Sequence, residues 1–237
     1  MLLDPYLSDS LAAKYAGTAT PHDRMMPVPV KADLLHGIDC VCVSHHHTDH
    51  ADPWTLTGIT RNNPAMTLVV PAASERFILG RLENIPEHVV GLDAQETFET
   101  PQFRIRAIPA AHETTERDEW GRYRYIGYLI RLGQWSIYHS GDTVWHEDLV
   151  RALATEPIDL ALLPINGRGK GVAGNLDACE AAELARQLNA RWTIPCHYGM
   201  FAFNTGSAER FSEYARERFL QIATPPCGEV WVLPSHS

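Results

Sequence analysis

The chain has 237 residues, 45% hydrophobic and 21% charged, an ordinary composition for a globular domain with a sizeable core. Acidic residues outnumber basic ones 29 to 20, for a net charge of −9, and no Lys/Arg run offers the basic stripe that a nucleic-acid binder carries. No apolar run approaches the roughly 18 residues of a membrane span, and Met1-Leu2-Leu3-Asp4-Pro5 lacks the charged start of a secretory signal.

A single domain over 1–237 is therefore expected, in the cytoplasm, with no membrane or nucleic-acid partner. The five cysteines (Cys40, Cys42, Cys179, Cys196 and Cys227) are odd in number and contain no Cys-x-x-Cys pair. They read as free thiols in a reducing compartment.

Short runs rich in Val and Ile, bounded by turn residues, alternate with helical patterns along the chain. A strand is predicted at 39–43 and another at 67–70, then a helix at 74–82. Strands follow at 103–108, 127–132 and 134–139, the last two joined through Gly133 as a tight antiparallel hairpin. A helix is predicted at 147–154, a strand at 158–163 and a helix at 178–188. Asp177 with Glu180 three residues on forms a capping box for that helix, and Asn189 can close it in a left-handed conformation. A strand at 191–195, a helix at 208–222 and a strand at 229–233 complete the pattern. Hairpins mixed with helices imply a layered α/β fold whose sheets are mixed. The charged, non-periodic stretch 113–125 reads as a loop that shapes a substrate entrance. The loop at 166–175 is expected to share that role.

The chemistry concentrates at His45-His46-His47-Thr48-Asp49-His50. The alternating strand Asp39-Cys40-Val41-Cys42-Val43 ends abruptly in four histidines and an aspartate within six residues. Ligand sites of open α/β sheets favour the carboxyl ends of strands, and imidazole with carboxylate suits zinc, manganese or iron. One loop cannot surround an ion. His112, Asp142 and His197 each sit just past another apolar run, and that shared position makes the set stronger than any member. His46 and Thr48 read as spacers. The isolated His22, His36, His88 and His236 read as surface or satisfied core residues.

The succession His-x-His-x-Asp-His, lone His, Gly-Asp and late His resembles the metallo-β-lactamase superfamily. The segments at 43–52, 137–143, 163–168 and 194–201 are similar to those of the L-ascorbate-6-phosphate lactonase (UlaG-like) family. The resemblance spans most of the chain, from about Leu2 to Phe203. It implies a four-layer αββα sandwich of two mixed sheets. It also implies one metal on His45, His47 and His112, a second on Asp49, His50 and His197, and Asp142 bridging the pair, with zinc or manganese as the ions. One or two strands that usually precede the Leu-Leu-Asp-Pro-Tyr segment are expected to be missing, leaving a sheet edge that favours a homo-oligomer.

Two such ions would activate a water for attack on a small lactone or ester, phosphorylated or not. Asp49 would orient that water or accept its proton. Asn166, Arg168 and Tyr198 are the candidate substrate contacts, with Trp145 and His146 lining the pocket. Asp52, Ser140 and Thr143 are candidates to orient the histidines. Three alternatives stay open on the same fold: a phosphodiesterase or nuclease, a glutathione-thioester hydrolase, and a non-enzymatic binding member.

Overall fold

A computed structural model describes residues 1–169, 171 and 173–235. Among the described residues, ten strands form two sheets. The first contains β1 (Leu2–Leu3), β2 (Cys40–Cys42), β3 (Thr67–Pro71) and β4 (His88–Leu92), in that spatial order. The second runs β10 (Trp192–Cys196), β9 (Leu160–Pro164), β8 (Trp135–His139), β7 (Ile126–Leu132), β6 (Phe103–Pro109) and β5 (Thr97–Glu99). The first sheet is parallel throughout, where a mixed sheet was expected, because helices or long crossovers separate its strands. The second is mixed as expected: β5 to β8 are antiparallel and β8 to β10 parallel.

Alternation within the strands builds the layers. Cys40, Cys42, Val69, Ile105, Ala107, Tyr128 and Ile130 pack together between the sheets. Val41, Val43, Leu68 and Val70 point the other way, onto Leu56 and Ile59 of α2 (Pro53–Asn62) and Ile78 of α3 (Glu75–Leu79). Tyr138, Ala161 and Leu163 face outward from the second sheet. They meet Leu149 and Leu153 of α4 (Glu147–Leu153), Leu184 of α5 (Ala178–Gln187) and Phe211 of α6 (Ala208–Glu217). The result is the αββα sandwich. All five cysteines are free thiols.

Local chemistry explains the helix ends. Asp177 accepts from the amides of Cys179 and Glu180 while Glu180 reaches back to the Asp177 amide, the capping box read from sequence. Asn189 closes α5 at φ +49°. Asp52, expected beside the histidines, instead caps α2. It accepts from the Thr55 amide and from the Ser8 and Ser10 hydroxyls, tying the N-terminal segment to that helix.

Some expectations fail. The strand at 229–233 does not form: Val230 and Val232 are 91% and 76% exposed and the segment makes no strand pairing among the described residues. The helix expected to reach 222 stops at Glu217, and Phe219 turns at φ +56°. Residues 221–223 instead lie along the edge of β10 through the Gln221 carbonyl and the Ala223 amide. Three short strands (β1, β4, β5) and two helices (α1, Ser10–Lys14, and α2) go beyond the sequence reading. Among the described residues, no helix is long and apolar enough to cross a membrane.

Replacing Asp177 with Ala removes the side-chain acceptor for the Cys179 and Glu180 amides and leaves only the Glu180 half of the capping box. Stability should fall by about 1 kcal/mol, seen as a melting temperature lower by about 2–4 °C in thermal unfolding.

Candidate metal centre

Strands β6, β8, β9 and β10 run in one direction, so their carboxyl ends share an edge. The carboxyl end of β2 meets that edge, where the Ile126 amide donates to the Ser44 carbonyl at 3.1 Å. Gly141 lets the two loops touch: its φ is +60°, and a Cβ there would lie 2.5 Å from the Ser44 Cβ. Asp142 is thereby delivered beside the His45–His50 loop. The Ala111 amide donates to the Thr143 hydroxyl and the Val144 amide to the Ala111 carbonyl, which binds the His112 loop to the Asp142 loop.

All seven sequence candidates converge. The donor atoms of His45, His47 and His112 lie within 4.8 Å of one another, as do those of His45, His50 and Asp142, and those of Asp49, His50 and His197. His45 Nε2 stands 3.0 Å from His47 Nδ1. Asp142 spans the groups: Oδ1 is 3.3 Å from His50 Nε2, and Oδ2 is 3.4 Å from His197 Nε2 and 3.7 Å from His112 Nε2. Asp49 Oδ2 is 3.4 Å from His197 Nε2.

This donor set fits divalent ions. Ligands on a tetrahedral ion about 2 Å away stand roughly 3.3 Å from each other, close to the contacts seen. His50 Nε2 is buried without a hydrogen-bond partner, as a nitrogen reserved for a metal would be. Burial, with His50 beside it, holds the His45 ring far below its usual range, and burial brings His47 down to about 4. Both are therefore neutral and able to donate a lone pair. Burial alone would raise the Asp142 carboxyl and lower His197. Their mutual attraction reverses both, holding Asp142 well down and His197 up at about 10. A cation would take over the role that protonated imidazole plays in that pairing.

The far sides of the rings are fixed. His45 Nδ1 meets the Ser44 hydroxyl at 3.0 Å. His112 Nδ1 lies 3.0 Å from both the Gly174 carbonyl and Asn175 Oδ1. His197 stands in the left-handed region at φ +57°, which turns it out of β10. The rule that strand neighbours face opposite ways therefore does not separate it from Cys196, and both line a small cavity of about 250 Å³ behind the cluster.

Residues 1–198 match the family model described as a Beta-lactamase superfamily domain. The chain belongs to that superfamily. A relative called UPF0173 metal-dependent hydrolase, from Chloroflexus aurantiacus, is 30% identical over 198 residues and covers 81% of this chain and 76% of its own length. Another of that name from Thermoplasma acidophilum is 28% identical, covering 91% and 83%. Within the superfamily, the chain belongs to this UPF0173 family. The solved structure of a possible metal-dependent hydrolase from Veillonella parvula has the same fold, with a TM-score of 0.73 at 20% identity over 96% of this chain and 90% of that one.

Other candidates are placed elsewhere. Asn166 is buried, donating to Asn204 Oδ1 and accepting from Asn175 Nδ2. It thus supports His112 through Asn175. Arg168 turns away onto Glu180 and the Asn175 carbonyl, bracing the loop. Tyr198 packs against the helical core of the second sheet. Trp145 is 43% exposed and donates to Gln187, and His146 caps α4. Ser140 donates to the Gly141 carbonyl, so of the three suggested orienting residues Thr143 alone ties ligand loops together.

A cavity of about 810 Å³ has His47, Asp49, His112, Asp142 and His197 on its surface. Residues 10–22, 46–54, 77–81 and 201–204 supply most of its lining and, among the described residues, the 113–125 loop supplies none of it, although the Tyr125 ring packs against His45, His47 and His112. Ala173 represents the 166–175 loop there, and positions 170 and 172 lie outside the described residues, as does His236. His22, read as an ordinary histidine, belongs to this lining.

Asp4 is the residue that sequence reasoning missed. It follows β1 at φ +43°, and its amide donates to the Cys42 carbonyl. Its carboxylate accepts from His50 Nδ1 and His139 Nε2, both at 2.8 Å, and from the amide and hydroxyl of Ser44. Although burial opposes ionisation, His50 and His139 hold this carboxyl far below its usual range. The signal was available, since Asp4 stands just past an apolar pair as the ligands do. Arg81 was also missed: it donates to the His46 carbonyl and the Thr48 hydroxyl, stapling the ligand loop. Asp4→Asn keeps the shape but removes the charge that orients His50. Metal affinity should drop roughly 10–100-fold in chelator-competition titrations, with an unchanged circular dichroism spectrum.

Proposed function

We propose that this chain is a hydrolase that uses two divalent ions, zinc or manganese, to cleave a small lactone or ester. The observation that carries it is the span of Asp142, whose two oxygens face His50 on one side and His197 and His112 on the other. One triad, His45, His47 and His112, would hold the first ion. Asp49, His50 and His197 would hold the second, with Asp142 shared. Bound ions at such a centre lower the pKa of a shared water and stabilise charge developing on the cleaved group.

The protein's own groups do the rest. Asp49 keeps 23% of its side chain exposed to the cavity and is held ionised by His50 and His197 against the effect of burial. It is placed to orient the water or take its proton. Asp4, Ser44 and the Asn166–Asn175 pair hold the imidazoles in their orientations. If the substrate is phosphorylated, Lys14 and Arg81 are the Lys/Arg cations in the lining among the described residues, in place of Arg168. The lactone class rests on the likeness of the 163–168 and 194–201 segments to the lactonase family. The charge of −9 supports a small-molecule substrate over a nucleic acid.

Metal analysis after reconstitution should find about two ions per chain, and chelation should abolish hydrolysis in a panel of lactones, thioesters and phosphodiesters. Fewer than one ion together with silence across the panel would end the enzyme reading. Asp142→Ala should lose both metal and turnover; if both persist, the shared ligand is misassigned. Turnover of thioesters or phosphodiesters alone would move the assignment to those classes.

A further inference from the structure

One wall of the cavity is built of rings. Tyr15 stacks on His22 with centroids 4.2 Å apart and planes 18° apart. His22 meets Phe201 and Phe203 edge-on at 5.0 and 4.6 Å. Tyr6 and Leu11 back Phe201, which is 3% exposed, while Tyr15, His22 and Phe203 keep open surface. Trp54 of α2 and Phe77 of α3 add two more rings to the lining, 58% and 56% exposed. Leaving this much aromatic surface in water is unfavourable unless something covers it.

The wall is set before any ligand arrives. The Arg24 guanidinium donates to the Tyr6 and Ser8 carbonyls and lies 4.3 Å over the Tyr6 ring. Arg24 bridges to Phe201, and the Met25 amide donates to the Met200 carbonyl. Phe201 and Phe203 lie in the same segment as His197, so the wall and the candidate metal centre share one support.

The polar side chains of the lining are largely committed to the protein. The Ser10 hydroxyl donates to Asp52, the Thr48 hydroxyl accepts from Arg81, and Asn204 Oδ1 accepts from Asn166. Apart from Lys14 and the histidine–carboxylate cluster itself, ring faces are the main surface left for a ligand among the described residues. A cavity of about 810 Å³ is of small-molecule size.

We propose that the substrate carries an apolar, planar group of ring size, seated on the Tyr15–His22–Phe203 wall while its scissile bond faces the histidine–carboxylate cluster. This rests on the hydrolase reading above, and a binding measurement separates the two. Benzohydroxamate and acetohydroxamate share a metal-binding head and differ in a phenyl against a methyl. Calorimetry on the zinc-loaded protein should find the phenyl compound tighter by roughly tenfold or more. That ratio should collapse toward unity in Phe203→Ala and in Tyr15→Ala. Equal affinity of the two compounds, or a ratio that both variants leave intact, overturns the wall while the hydrolase reading stands. Binding of neither compound overturns both together.

Discussion

Asp4, Asp49 and Asp142 are carboxylates withdrawn from bulk water at the junction of two sheet edges, and the structure around them is arranged to satisfy them. Burying a charge without a partner is costly. Asp4 is met by His50, His139 and Ser44; Asp142 by His50, His197 and His112; Asp49 by His197 and His50. Imidazoles shared between carboxylates keep one nitrogen anchored and turn the other toward the centre. His50 is the clearest case, with Nδ1 on Asp4 and Nε2, which makes no hydrogen bond, 3.3 Å from Asp142.

Strand direction makes this possible. Because β6, β8 and β10 end on one edge and β2 ends against it, residues far apart in the chain arrive within a few ångströms. The tolerances are met by backbone choices: Gly141 at a contact no Cβ could enter, His197 and Asp4 at positive φ. Positive φ in residues other than glycine is uncommon, and such conformations gather where a site over-determines them. The helices outside the sheets serve the same end less directly. Asp52 caps α2 and also gathers Ser8 and Ser10, which steadies the segment leading into the cavity wall.

The cavity divides its labour. Its floor is the polar cluster, and much of its side is aromatic surface whose neighbouring polar groups are already hydrogen-bonded within the protein. Such a division favours a ligand with one reactive polar end and one apolar body. Parts of the loops at 113–125 and 166–175, charged and glycine-rich in sequence, brace one another beside the site. Arg168 on Glu180 and the Glu113 carboxylate on the Gly174 amide show how.

The candidate ligands were legible in the sequence because each obeys a local rule: an apolar strand followed at once by a histidine or aspartate. A layered α/β fold was legible for a similar reason, since alternation and helix caps such as Asp177 and Glu180 are written in neighbouring residues, while the αββα order came from the resemblance to the superfamily. What only tertiary structure decided is which distant residues meet. Asp4 lies 40 positions from Ser44 and 135 from His139, and although its place after an apolar pair marks it as a candidate, nothing local names those partners. Asn166 and Arg168 sit at the right strand end, yet packing directs one to Asn175 and the other to Glu180. His22, Tyr15 and Phe203 look unremarkable in the chain and become a wall because Arg24 pairs the N-terminal segment with the turn after His197. Short edge strands such as β1, with two residues, carry too little periodicity to be read alone and exist because β2 is there to pair with them.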